Sequence, residues 1–115
     1  MLDIIFKDGK PTEAVPGGST FNGIVSLGRA GMDVTFLTET GDDRVGEHVR
    51  QFLSDNNVDT SGINVCPDSK SPISLAFLDN DNNADYVFYR DANTTHADFV
   101  YPDIHADDIV VLGSF

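Results

Sequence analysis

Within residues 19–57 a helical pattern, an apolar extended run and a second helical pattern follow one another, joined by short turns. That alternation belongs to layered α/β folds, in which helices cover a sheet. In the first helical pattern Phe21, Ile24, Val25 and Leu27 or Gly28 recur every three or four residues, one stripe of a helix. Ser19 and Thr20 are expected to cap its start, and Gly31 stands where a left-handed residue ends a helix. Gly23 and Gly28 weaken the helix, which suggests close packing against its backbone. Residues 33–38 (DVTFLT) read as a strand, and Gly41-Asp42-Asp43 as the turn after it. Val45, Val49, Phe52 and Leu53 mark an amphipathic helix over 44–55, capped by Asp42 or Asp43 and ended by Asn56-Asn57.

Beyond residue 62 the helices stop. Residues 63–65, 73–78 and 86–90 are strand-like, and the last two flank the polar turn 79–85, as in a hairpin. Residues 2–6 form an apolar strand interrupted by Asp3, residues 7–11 carry turn chemistry, and 13–15 read as a short strand. The simplest arrangement is a small sheet projecting from an α/β body. Residues 91–108 look irregular, with a short helix at most, and Ile109–Leu112 is apolar throughout, as in a strand covered on both faces. A chain that opens and closes on such strands reads as part of a larger domain.

Composition removes several function classes. Seven basic against nineteen acidic residues give a net charge of −12, which repels nucleic acid and anionic membranes. No apolar run approaches membrane-spanning length, no signal segment is evident, and a single cysteine, Cys66, precludes an intrachain disulfide; the protein reads as soluble and cytoplasmic. His48, His96 and His105 lack zinc-ligand spacing. The run DNDNNAD at 79–85 starts like a calcium loop, but Ala84 and Arg90 stand where that motif needs Gly and Glu. No metal site is expected.

The stretch PGGSTFN at 16–22 is different. Its plain reading is a tight turn before a helix. Yet glycines let a ligand approach the backbone, a helix N-terminus offers free N–H donors, and Asn22 offers both donor and acceptor. Donors together with acceptors suit a polyol. Asp3, a carboxylate in an apolar strand, needs a partner or solvent. At the C-terminal end of that strand it would face a cleft and accept two adjacent sugar hydroxyls.

These residues resemble the ribokinase-like, or PfkB-type, carbohydrate kinases, and the fructokinase-like members most. The likeness rests on Gly17-Gly18, Asn22, Gly31 and Gly41, on the Gly-x-Asp-x-x-Gly element at Gly41, Asp43 and Gly46, and on the run 71–98 with its strands and return; it extends over essentially the whole chain. The resemblance implies a Rossmann-like core with a projecting β-sheet lid, of which residues 1–115 form the N-terminal part: core at about 1–6, 19–57 and 109–115, lid at about 7–18 and 63–92. It implies ATP-dependent phosphorylation of a sugar hydroxyl, with Mg2+ accompanying ATP, and a homodimer through the lid by way of Phe77, Phe88 and Tyr89. As implied substrate contacts, Asp3, placed at the end of the first strand, binds sugar hydroxyls, Gly17 and Gly18 form a hinge whose backbone meets the sugar, Asn22 bonds a hydroxyl, and Arg90 ends a lid strand on the substrate side. The catalytic base and nucleotide site belong to a Gly-Ala-Gly-Asp element that this sequence lacks. The family often has Ala-Pro-Ala where Ser19-Thr20-Phe21 stand here, so the sugar stays open between fructose, ribose, 2-keto-3-deoxygluconate and a nucleoside. A non-catalytic sugar-binding or regulatory module is the competing class.

Overall fold

The computed structural model describes residues 1–91 and 101–113. Eight elements follow in chain order: β1 (Leu2–Lys7), β2 (Lys10–Pro16), α1 (Ser19–Arg29), β3 (Thr38–Gly41), α2 (Arg44–Asp55), β4 (Ile63–Cys66), β5 (Ile73–Leu78) and β6 (Ala84–Tyr89). They make a mixed α/β arrangement with two sheets: a mixed four-stranded one in the order β2-β1-β5-β6, and a parallel pair, β3 and β4.

The four-stranded sheet is built from two hairpins whose inner strands, β1 and β5, run parallel. Asp8 and Gly9 turn the first hairpin with φ of 53° and 72°, the left-handed pair that matches strand twist in a two-residue loop. In the second hairpin the Asp79 carboxylate accepts from the backbone N–H groups of Asp81 and Asn83, and from the Asn83 amide. Its oxygens organise the turn, and those bonds hold its pKa below the ordinary carboxylate value. Strand pairing thus groups residues 2–6 with the hairpin strands rather than apart from them, while β4 pairs with β3 outside that sheet. The strand expected at 13–15 runs from Lys10 to Pro16.

The helices pack against each other beside the second sheet. Phe21, Val25, Val49, Leu53, Val58 and Ile63 form the buried cluster, with Ile24, Val34, Phe36 and Phe52 packed against it. Phe21 stacks on Phe52 and meets Phe36 edge-on, at centroid distances of 5.9 and 6.1 Å. Gly28 on α1 is where the second helix's exit crosses: a Cβ there would strike the Asn56 carbonyl and lie 2.9 Å from Val58. Gly23, by contrast, faces open space, so the packing reason expected for it does not hold.

Three further expectations are corrected. The strand at 33–38 is only a single bridge, Thr35 to Asp59; the strand itself is Thr38–Gly41, so Gly41 is a strand residue and not a turn. Val34 and Phe36 send their side chains into the core, which explains the apolar signal without a ladder. Neither Ser19 nor Thr20 caps α1: the N-cap is Gly18, at φ 126° and ψ 151°, with no side-chain cap. Only glycine takes that backbone readily, so the chain enters the helix one residue earlier than the hydroxyls suggest. Ile109–Leu112 forms no strand and is 60–86% exposed, because no described strand lies beside it to complete a ladder. The second helix matches expectation from Arg44 to Asp55, and α1 ends as expected: Gly31 at φ 83° donates to the Gly28 carbonyl while Met32 donates to that of Leu27.

Candidate functional site

The site lies at one end of the four-stranded sheet. Register across the sheet puts Val15, Asp3, Ser74 and Phe88 in one row, and residues in a row share a face. Asp3 is the second residue of β1, not its last as the sequence suggested; the strand continues through Ile4, Ile5 and Phe6 because both its neighbours extend that far. It is half-buried, and its Oδ1 accepts from the Ser74 hydroxyl at 2.6 Å. A carboxylate in an apolar strand needs a partner. Here the partner is 71 positions away in sequence.

The other carboxylate oxygen abuts the glycine pair. A Cβ on Gly17 would lie 2.5 Å from Asp3 Oδ2 and 3.5 Å from its Cγ, so the absence of a side chain at Gly17 is what admits the carboxylate. Gly17 is buried and tied to the strand start, its N–H donating to the Met1 carbonyl at 3.0 Å. Gly18 then opens α1, and its carbonyl accepts from the Asn22 N–H at 2.8 Å, the first helical bond. Asn22 is exposed one turn into the helix, and the Ser26 hydroxyl donates to its carbonyl. Gly17 and Gly18 thus link Asp3 to Asn22 by a short path: the carboxylate lies against Gly17, Gly18 caps α1, and Asn22 stands on the first turn.

Arg90 follows β6 at the same end. Tyr89 registers with Ile73, and Ile73 with Leu2, which sets Arg90 level with Met1. The Met1 amino group shows the convergence: burial lowers its pKa, the Asp3 charge opposes, and the Arg90 charge adds to the lowering. The Arg90 guanidinium lies 5.6 Å from the centre of the Phe88 ring, and that ring stacks on Tyr86 at 5.9 Å. Tyr86, Phe88 and Arg90 therefore form a file along the edge strand on the Asp3 face. Phe88 is consequently separated from Phe77 and Tyr89, which lie on the opposite face, so the three aromatics do not make one surface.

Sequence reasoning missed Ser74 and the facing of Phe88. The pairing of β1 with β5 supplies both, and no local signal announces a parallel register between segments so far apart. A cleft of about 550 Å³ lies elsewhere, lined by Asp33, Thr35, Ser54, Asn57, Asp59 and Asp108 among others, and none of the expected site residues borders it. No group of metal-ligating side chains occurs among the described residues. His48 and His105 are exposed, and His96 lies outside the described residues.

A knot of polar bonds anchors the site from behind. Asp43 caps α2 through the Gly46 N–H at 2.7 Å and also accepts from the Ser71 N–H at 2.8 Å, while the Ser71 hydroxyl accepts from the Gly41 N–H. The next residue's carbonyl, Pro72, accepts from the Leu2 N–H that begins β1. A Cβ on Gly46 would strike the Gly41 carbonyl, and one on Gly41 would lie 2.5 Å from the Ser69 carbonyl, so the Gly-x-Asp-x-x-Gly spacing follows from backbone crowding. Burial pushes the Asp43 carboxyl upward, but the bonds from Ser71 and Gly46 more than offset it and hold the pKa below the ordinary value. A folded pKa lowered in this way adds stability that is complete above the unfolded value and lost as pH falls through the folded one. Asp43→Ala is expected to cost about 1 kcal/mol or more at neutral pH. The gap to wild type should close as pH falls below about 3.9, the unfolded carboxyl value. Urea midpoints across that range measure it; a gap that stays constant with pH would exclude the carboxylate as the cause.

A mixed α/β arrangement with a mixed four-stranded sheet, and a carboxylate held against a glycine pair at the sheet's end, fit a ribokinase-like fold. The model of the pfkB family carbohydrate kinases matches residues 7–115, and the chain belongs to that family. It is 29% identical over 83 residues to a probable chloroplastic fructokinase-6 of Arabidopsis thaliana, covering 72% of this chain and 22% of that one. It is 34% identical over 95 residues to a 5-dehydro-2-deoxygluconokinase of Geobacillus thermodenitrificans, covering 81% and 28%. Among solved structures, a sugar kinase from Pyrococcus horikoshii matches with a TM-score of 0.70 at 27% identity, over 77% of this chain and 31% of that one. A fructokinase from Xylella fastidiosa matches at 0.68 and 25%, over 78% and 31%. The chain thus spans between about a fifth and a third of the length of these relatives. The Pyrococcus kinase has also been solved in complex with ATP. No described helix is long and apolar enough to cross a membrane.

Proposed function

We propose that the full-length protein transfers the γ-phosphoryl group of ATP to a hydroxyl of a small sugar, fructose foremost, and that this segment supplies the sugar-side wall and the lid. The observation that carries the reading is Asp3, fixed between the Ser74 hydroxyl and the bare Cα of Gly17. A carboxylate so held keeps acceptor sites free for two adjacent hydroxyls. Asn22 offers a donor and an acceptor one turn into α1, and Arg90 brings a cation to the same end. Phosphoryl transfer depends on positioning and charge stabilisation, and these residues serve the positioning. The base, ATP and its Mg2+ belong to residues beyond this segment. A lid made of the β2-β1-β5-β6 sheet closing over the sugar would exclude water and spare ATP from hydrolysis.

The opposite face of the sheet carries Leu2, Ile4, Phe6, Ile73, Leu75, Phe77, Val87 and Tyr89, with Phe6 and Phe77 stacked at 5.0 Å. A homodimer through the lid would use this face and not Phe88.

The test is ADP release by the full-length protein with fructose, ribose, 2-keto-3-deoxygluconate, 5-dehydro-2-deoxygluconate and a nucleoside. Fructose is expected to give the highest kcat/KM. Asp3→Ala is expected to raise the sugar KM by about a hundredfold, since bonds to a charged acceptor are lost, with the ATP KM changed less than about twofold. Equal losses for both ligands would remove Asp3 from the sugar site. Sugar binding without turnover would favour the non-catalytic module.

A further inference from the structure

We propose that Ser74 is the positioning residue for Asp3, the group that sets the carboxylate plane in which sugar hydroxyls are read; the inference rests on the sugar-side role of Asp3 proposed above. Ser74 is fully buried, with 0% of its surface exposed, and its hydroxyl donates to Asp3 Oδ1 at 2.6 Å. The two residues face each other across the β1–β5 ladder, so the bond is made between rigid backbones.

Packing alone does not ask for a hydroxyl there. Two residues along the same face, Ala76 is 3% exposed and fills the equivalent place with a methyl group. A buried hydroxyl carries a desolvation cost that a methyl does not, and the bond to Asp3 is what offsets it. The geometry of that bond is specific. An ionised carboxylate presents four lone-pair sites. Ser74 occupies one on Oδ1, and the missing side chain at Gly17 leaves room for Oδ2, so the carboxylate is tied at one oxygen and seated against the glycine at the other. Two vicinal hydroxyls are bound well only by a carboxylate whose plane is already set. Ser74 itself is placed by the knot behind it: Asp43 holds the Ser71 N–H at 2.8 Å and Pro72 holds the Leu2 N–H at 3.1 Å.

The test is a double-mutant cycle in the full-length protein, reading the KM for the preferred sugar, the KM for ATP and the melting temperature. Ser74→Ala is expected to raise the sugar KM about tenfold with the ATP KM unchanged. Asp3→Ala/Ser74→Ala is expected to match Asp3→Ala alone, because Ser74 acts through the carboxylate. Ser74→Cys, similar in size with a weaker donor, should fall between wild type and Ser74→Ala, and it decides the matter by the same criteria if the alanine variant does not fold. A sugar KM unchanged by Ser74→Ala while Asp3→Ala raises it would overturn the positioning role and leave the Asp3 reading intact. Effects that multiply in the double variant would overturn it too. An Asp3→Ala enzyme with normal sugar KM would overturn both.

Discussion

Gly17→Ala in the full-length protein is expected to raise the sugar KM by about a hundredfold while the melting temperature falls by about 5 °C or less. Gly17 is not among the glycines with positive φ, so alanine can adopt its backbone. The only atoms a Cβ would meet within 4 Å belong to Asp3: Oδ2 at 2.5 Å and Cγ at 3.5 Å. The first distance is impossible, and the yielding partner is the end of a side chain rather than a backbone. The carboxylate must therefore swing away, breaking its bond to Ser74 and leaving the place where a sugar would find it. Stability changes little because two effects oppose. A buried Ser74 hydroxyl loses its partner, at about 1–3 kcal/mol, while alanine reduces the freedom of the unfolded chain by about 0.4–1 kcal/mol. Steady-state kinetics together with a melting curve check both halves. A folded variant with wild-type sugar KM would show that the contact between Gly17 and Asp3 has no bearing on the substrate.

The residues of that contact were legible in the sequence; their arrangement was not. Asp3, Gly17, Gly18 and Asn22 stand out because a carboxylate in an apolar strand, a glycine pair and an amide at a helix start each need a local reason. Arg44–Asp55 was readable to the residue, since Val45, Val49, Phe52 and Leu53 mark a face and Asp43 caps it, all within one helix length. The failures are non-local. Val34 and Phe36 are apolar because they reach the helical core, and nothing in residues 33–38 tells that from a strand's burial. The row joining Asp3 to Ser74 and Phe88 depends on β1 pairing with β5 across some 70 residues, and register between distant strands is settled by total burial, not by local pattern. At the start of α1 a favoured capping hydroxyl lost to a backbone angle open only to glycine, because the chain must turn sharply after meeting Asp3.

Leu53→Ala should do the reverse of Gly17→Ala, removing stability while sparing the site. Leu53 is fully buried, at 0% exposure, among Phe21, Val25, Val49, Val58 and Ile63, the cluster that locks α1 onto α2. Replacing it leaves a cavity lined by side chains held from both helices and from β4, so collapse is limited and the expected loss is about 3 kcal/mol. The sheet end is supported separately: Asp3 by Ser74, Gly17 by the strand start, and Ser71 by Asp43. None of these bonds involves Leu53. Among molecules that remain folded, the sugar KM should stay within about twofold of wild type, as expected for sites that share no partner. Urea unfolding gives the first quantity and kinetics below the unfolding transition the second. A Leu53→Ala enzyme that loses sugar affinity in proportion to its stability would mean that the seating of α1, and with it Asn22, is governed by the helical core rather than by Gly17 and Gly18. The position of the first helix turn would then be the property that core packing controls.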